Sequence, residues 1–321
     1  MCKNAGKTTA MNALIRENGK HGGTLGLTSI GRDGESVDVV TKTHKPGIYV
    51  LRGTVIATAS AMLRLGDTTN RILDTTGIST PLGEVVMVRT ESDGSVQLAG
   101  PSMTSQLSEL MGLFASFGAQ LSIIDGALSR KTLCAPAVCE ATILCTGASY
   151  SRDINAVIDD TAFSAELLTL PKQNSFTDAQ LDAELACKVR FRRENGAVEP
   201  MPDDITLAQA LTSREYAGVE SAYVSGAVTD AMIKPVLMGG AKLKGFELSV
   251  EDGSKLIISR SSYEKLMIRG VRLAVRRPVR LAAITVNPVS AYGFDMDRKL
   301  LLERMRAAVR VPVVDVESEE D

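Results

Sequence analysis

Ala5-Gly6-Lys7-Thr8-Thr9 heads an apolar-periodic run, and this order of residue types is one that can hold a phosphate. Successive backbone N–H groups and the positive end of a helix dipole grip the β-phosphate, a lysine reaches the β/γ oxygens, and a hydroxyl binds Mg²⁺. Lys7 and Thr8 suit the last two roles, and Asn4, Ala5, Gly6 and Thr9 complete the loop around them. The full pattern has a glycine five residues before Gly6, where this chain has Met1. Gly-Lys-Thr alone is a short pattern; the helix behind it and an acidic strand end further along give it weight. The competing reading is an exposed helix with a threonine cap.

Asp125 closes the hydrophobic strand of residues 121–124, where a carboxylate can face Mg²⁺ or an attacking water. Asp33 and Glu35 follow another strand in a glycine-rich loop, as in a switch segment that orders around nucleotide and Mg²⁺; a solvated turn is the alternative. Arg130 and Lys131 stand close enough in sequence to meet phosphate or to lie on the surface. Asn287, before Pro288 at a strand end, offers a donor and an acceptor to a nucleobase edge, or makes a plain turn. Cys134, Cys139 and Cys145 lack Cys-x-x-Cys spacing and read as small hydrophobes rather than metal ligands. His21 and His44 are too isolated for a catalytic pair.

These residues need strands and helices to present them. Residues 8–18 carry Met11, Ala13, Leu14 and Ile15 on one helical face, with Gly19 as the expected stop. Residues 25–30 read as a strand that delivers its end to a polar loop. Short strands follow at 48–51 and 55–57, and 60–65 reads as a helical turn. Ser92-Asp93-Gly94 predicts a hairpin joining strands at 84–88 and 95–98. A helix over 102–117 precedes the strand ending at Asp125, then comes a strand at 141–145 and a helix over 152–168. Residues 171–202 read as a boundary. Beyond it we expect a strand and helix around Gly226, two strands pairing about Glu251-Asp252-Gly253, a β-branched strand at 281–286, a helix over 297–309 and a final strand before the acidic tail. Alternating strands and helices predict an α/β fold with a mostly parallel sheet covered on both faces. The expected domains are 1–170 for nucleotide binding, 171–202 as linker and 203–321 as a second α/β half. Ligands of such folds sit at the carboxyl ends of the strands.

Composition narrows the function classes. With 36 Lys+Arg against 38 Asp+Glu among 321 residues, the formal charge of −2 argues against a nucleic-acid binder. The absence of Trp and an aromatic content of 4% argue against stacking platforms for single strands. No apolar run reaches membrane-spanning length and the first residues lack a signal-peptide pattern, so the expected location is the cytoplasm, away from any membrane. Five cysteines then read as reduced thiols.

Together, Cys2-Lys3-Asn4-Ala5-Gly6-Lys7-Thr8-Thr9, the loop of residues 28–35, Ile124-Asp125-Gly126, Gly226-Ala227-Val228-Thr229-Asp230 and Ile284-Thr285-Val286-Asn287-Pro288 resemble the P-loop subunit of the lysine 5,6-aminomutase reactivase, and more broadly the P-loop NTPases. The first motif is also similar to that of molybdopterin-guanine dinucleotide adapter proteins. The resemblance implies ATP or GTP with Mg²⁺, nucleoside triphosphatase activity, a partner ATPase subunit, and an adenosylcobalamin aminomutase of lysine fermentation whose damaged cobalamin is released. Residue by residue, it assigns Lys7 and Thr8 to phosphate and Mg²⁺, Asp33 to the switch loop and Asp125 to the metal side. The alternative class is a small-molecule ATP-dependent enzyme of the dethiobiotin-synthetase type, or a cofactor adapter. In a P-loop fold a strand precedes the loop, so we expect an open place in the sheet beside the strand ending at Asp125, and upstream residues that fill it.

Overall fold

Short runs of β-branched and small residues between helices produce an alternating chain in a computed structural model that describes residues 4–31, 47–126, 136, 138–182 and 187–316. In order, its first part holds α1 (Lys7–His21), β1 (Leu25–Ser29), β2 (Ile48–Val50), β3 (Val55–Ala59), β4 (Asn70–Thr80), β5 (Gly83–Thr90), β6 (Gly94–Val96), α2 (Thr104–Ser116), β7 (Leu121–Asp125), β8 (Thr142–Gly147) and α3 (Ile154–Leu168). Then come α4 (Asp178–Asp182), β9 (Val189–Arg193), β10 (Val198–Pro200), α5 (Leu207–Thr212), β11 (Val219–Val224), β12 (Val228–Thr229) and α6 (Asp230–Met238). The chain ends with β13 (Glu247–Val250), β14 (Leu256–Ile257), α7 (Arg260–Ile268), β15 (Arg272–Val275), β16 (Leu281–Asn287), α8 (Arg298–Ala308) and β17 (Val313–Asp315).

Two units emerge. The first comprises 1–133, 143–162 and 282–321, and the second 134–142 and 163–281. This differs from the expected division at 171–202. That stretch contains β9 and β10, which belong to the second unit's sheet, ordered β10-β9-β11-β13-β15. Pro200 ends β10 within it. The chain after 281 returns to the first unit, because β16 pairs with β8 and β17.

In the first unit the sheet runs β4-β5-β3-β1-β7, with β1 parallel to both β3 and β7. Strict alternation sends Leu25, Leu27 and Ile56 to one face, packed with Met11 and Ile15 of α1. Val55 and Ala57 point the other way, against Leu110 and Phe114 of α2. Helices thus cover both faces of β3, as parallel strands require. A second sheet in the order β17-β16-β8 has β16 parallel to β17. The Thr142 N–H donates to the Arg280 carbonyl at one end, and the Ala148 N–H to the Asn287 carbonyl at the other, so β8 and β16 run in the same direction. The first sheet stops at β7 and the second at β8, and neither strand has a partner on its far side among the described residues.

Three local expectations are corrected. α1 continues through Gly19 to a left-handed Gly22, because a side chain at 19 would stand 2.5 Å from Leu51 Cδ1 and glycine lets the helix pass. Ser92-Asp93-Gly94 does not join a hairpin of β5 with β6. β5 pairs instead with β4 and β3, while β6 pairs with β2. Asp93 there accepts from the Arg52 N–H at 2.7 Å, so the turn side chain ties β6 to the β2 end rather than closing a ladder. The strands around Glu251-Asp252-Gly253 do not pair with each other either; β14 runs parallel to β12, and Asp252 caps a short 3₁₀ turn by accepting from the Ser254 N–H at 2.9 Å.

Candidate functional site: the loop before α1 and its neighbouring strand ends

Two left-handed residues bend the backbone ahead of α1, Asn4 with φ 59° and Gly6 with φ 83°. Such a conformation suits glycine and is tolerated by asparagine. Gly6 is the N-cap, no side chain caps the helix, and its first turn has no acidic residue. The threonine-cap reading is therefore corrected: the N-cap residue of this 15-residue helix is a glycine, which offers no side-chain acceptor to the first-turn N–H groups. Lys7, Thr8 and Thr9 are half-buried there, and Ala5 is buried against Ala10 and Cys145.

The surroundings are strand ends. Asp125 is the last residue of β7, opposite Ser29 at the end of β1, and its carbonyl accepts from the Ile30 N–H at 3.0 Å. Lys7 and Asp125 both act electrostatically on the buried Cys145 of β8. Burial pushes that thiol up, a hydrogen bond with Thr285 and the Lys7 charge oppose the rise, and Asp125 adds to it. Asn287 ends β16 with its Cβ 3.1 Å and its Nδ2 3.2 Å from where a Gly6 side chain would begin. Its Oδ1 accepts from the Val289 N–H at 2.8 Å and the residue is buried, in line with the plain-turn reading, and it backs Gly6.

Asn4, Ala5, Gly6, Lys7, Thr8, Asp125 and Asn287 therefore gather at one end of the first unit. Gly31 continues from the end of β1, held by its N–H donating to the Pro101 carbonyl at 3.2 Å. Asp33, Glu35, Arg130, Lys131 and Cys134 lie outside the described residues. A cleft of about 180 Å³ opens at the opposite end of α1, lined by Asn18, Gly22, Leu51 and Arg52 among others; it shares no residue with the loop.

The second unit has its own cluster at the carboxyl ends of β11, β13 and β15, one that the sequence reading passed over. Buried Arg276 donates through Nε to Asp178 at 2.9 Å and through Nη2 to Asp182 at 2.7 Å. The Tyr223 hydroxyl donates to Glu251 at 2.5 Å, and Glu251 also meets Arg277 at 3.0 Å. The hydrogen bond from Arg276 holds the Asp178 carboxyl below its ordinary range. The only signal for this cluster in sequence was the placement of Glu251 and Arg276 directly after apolar strands. Burial raises the Cys139 thiol as well, which with Cys145 fits the hydrophobe reading of the cysteines. Among the described residues no group of three or more His, Cys, Asp or Glu side chains could hold a metal. No helix among them is long and apolar enough to cross a membrane.

No family model, curated protein or solved structure matches this chain.

Proposed function

We propose that the chain binds a nucleoside triphosphate, ATP or GTP, with Mg²⁺ at the loop of residues 4–9, in a P-loop NTPase-like first unit. The observation that carries this reading is the start of α1, which no N-cap side chain closes, behind two left-handed residues, in the same unit as β7 with its terminal Asp125. First-turn amides at the positive end of a helix favour an anion, and Lys7 adds a full charge beside them. A hydroxyl at Thr8 and a carboxylate at Asp125 are hard oxygen donors of the kind Mg²⁺ takes together with phosphate oxygens. In this reading Lys7 and the loop amides bind and orient the phosphates, and Asn287 holds Gly6 in place from behind.

On the resemblance of its motifs, the work done with that nucleotide is reactivation of an adenosylcobalamin-dependent lysine 5,6-aminomutase, together with a partner ATPase subunit. Isothermal titration of the chain with ATP and with GTP, each with and without Mg²⁺, tests the first step. Binding that strengthens with Mg²⁺ is expected; no heat with either nucleotide would remove the proposal. The second step is tested by adding the chain and MgATP to cobalamin-inactivated aminomutase. Release of damaged cobalamin supports reactivation, and nucleotide binding without release points to the small-molecule or adapter alternatives.

A further inference from the structure

A single apolar side chain in water needs no explanation, but two held side by side do. Met238, the last residue of α6, is 87% exposed, and Ile268, the last residue of α7, is 84% exposed; among the described residues no other large apolar side chain exceeds 63%. One hydrogen bond joins the two helix ends. Arg269 Nη1 donates to the Gly239 carbonyl at 3.4 Å, so each exposed side chain stands one residue from that contact. The turns that follow also meet, through the Gly245 N–H donating to the Gly270 carbonyl at 2.9 Å, and they lead into β13 and β15. This surface therefore lies at the amino ends of those strands, at the other end of the second unit's sheet from the Arg276 cluster.

The charge within it is of one sign. Residues 238–246 and 265–272 contain Lys242, Lys244, Lys265, Arg269 and Arg272 and no carboxylate, in a chain whose formal charge is −2. All five cations are exposed. Of the neighbouring acids, Glu247 meets Arg272 at 3.8 Å, and Glu264, one turn before Ile268, meets Arg260 at 3.8 Å. Lys265 and Arg269 sit at the end of α7, where a helix dipole favours cations. Lys242 and Lys244 lie beyond α6 and outside any helix, so that reason does not reach them.

We infer that this surface docks on an anionic phospholipid bilayer, with Met238 and Ile268 entering the headgroup boundary and the five cations meeting lipid phosphates. Apolar side chains among cations suit that boundary, where apolar burial and attraction to anionic lipid add. The residue types favour lipid over a protein partner. Interfaces between proteins are poor in lysine and rich in aromatics, whereas three of these five cations are lysines and Phe246, the one aromatic of the two segments, is buried. Such a contact is peripheral and needs no spanning helix, and it departs from the expectation of a chain kept away from membranes. It does not rest on nucleotide binding.

The test sediments the full chain with vesicles of phosphatidylcholine alone and of phosphatidylcholine with one third phosphatidylglycerol. Binding to the anionic vesicles only is expected, with release at high salt. At about fivefold per cation, Lys242→Glu with Lys244→Glu is expected to weaken that binding roughly twentyfold or more. Met238→Ser with Ile268→Ser is expected to weaken it at least about tenfold. All four positions are exposed, so circular dichroism is expected to match the wild type in both variants. No sedimentation of the wild type with anionic vesicles would overturn the inference. So would full binding by the Met238→Ser, Ile268→Ser protein, which would leave a contact of charge alone. Wild-type binding to an acidic, leucine-bearing peptide without binding to the vesicles would assign the surface to an acidic protein partner instead.

Discussion

At the carboxyl ends of β11, β13 and β15, Tyr223, Glu251 and Arg276 satisfy one another, with Asp178 and Asp182 completing the shell around the guanidinium. At the ends of β1, β7 and β16, the first unit instead sets a helix start whose amides have no side-chain cap. Both arrangements place charge at strand ends, but only the second goes with a helix start that no N-cap side chain closes. A buried arginine enclosed by carboxylates has spent its hydrogen-bonding capacity on the fold, since leaving it unpaired would be costly. The comparison teaches that charge at a strand end can serve the fold alone, as it does around Arg276.

Exchanging the roles breaks the comparison most strongly. Arg276→Ala removes the centre of the second unit's cluster and is expected to destabilise it by about 3 kcal/mol, less than for fully buried partners because Asp178 and Asp182 face water. Denaturant unfolding measures this, and nucleotide affinity is expected to stay at the wild-type value. Asp125→Asn should leave nucleotide bound while lowering Mg²⁺-dependent turnover by roughly tenfold or more, the cost of losing one oriented group at a transition state. Phosphate release assays with equal rates for both proteins would reduce Asp125 to a turn residue.

Smaller effects sharpen the contrast. Gly6→Ala forces a side chain into a left-handed position and against Asn287, at about 1–2 kcal/mol, and should weaken nucleotide binding together with thermal stability. The acid limb of the unfolding profile is the smallest effect. Asp178 titrates below its ordinary value in the folded state because of its bond from Arg276. Its contribution is therefore complete above the unfolded carboxyl value near 3.9 and is lost as pH falls through the lower folded value. Asp178→Asn should flatten that part of the profile and leave the neutral region nearly parallel to wild type.

Much of this organisation is legible in sequence because burial writes it there. The runs at β1, β3, β7, β8 and β16 are short, apolar and bounded by Gly, Asp or Asn, and each forms a strand near the expected place. The loop before α1 and Asp125 were found from residue types alone, and the strand ends bring them to one side of the first unit. β4 was missed because its Thr and Asp residues and its pairing irregularities erase the two-residue alternation. The Asp-Gly hairpin failed because Asp93 and Asp67 spend their carboxylates on the distant backbone N–H groups of Arg52 and Ser95. The Arg276 cluster joins residues nearly a hundred positions apart, a pairing that local spacing cannot carry.

The most direct measurement is calorimetric titration of MgATP into the wild-type chain and into Lys7→Ala. Lys7 supplies charge beside the loop, and a charge-assisted contact contributes about 1.5–3 kcal/mol, roughly 10- to 150-fold in affinity. The account predicts binding to wild type, a loss of that size in the variant, and the same circular dichroism and unfolding curve for both. Equal MgATP affinity in the two proteins would contradict the assignment of this loop to phosphate.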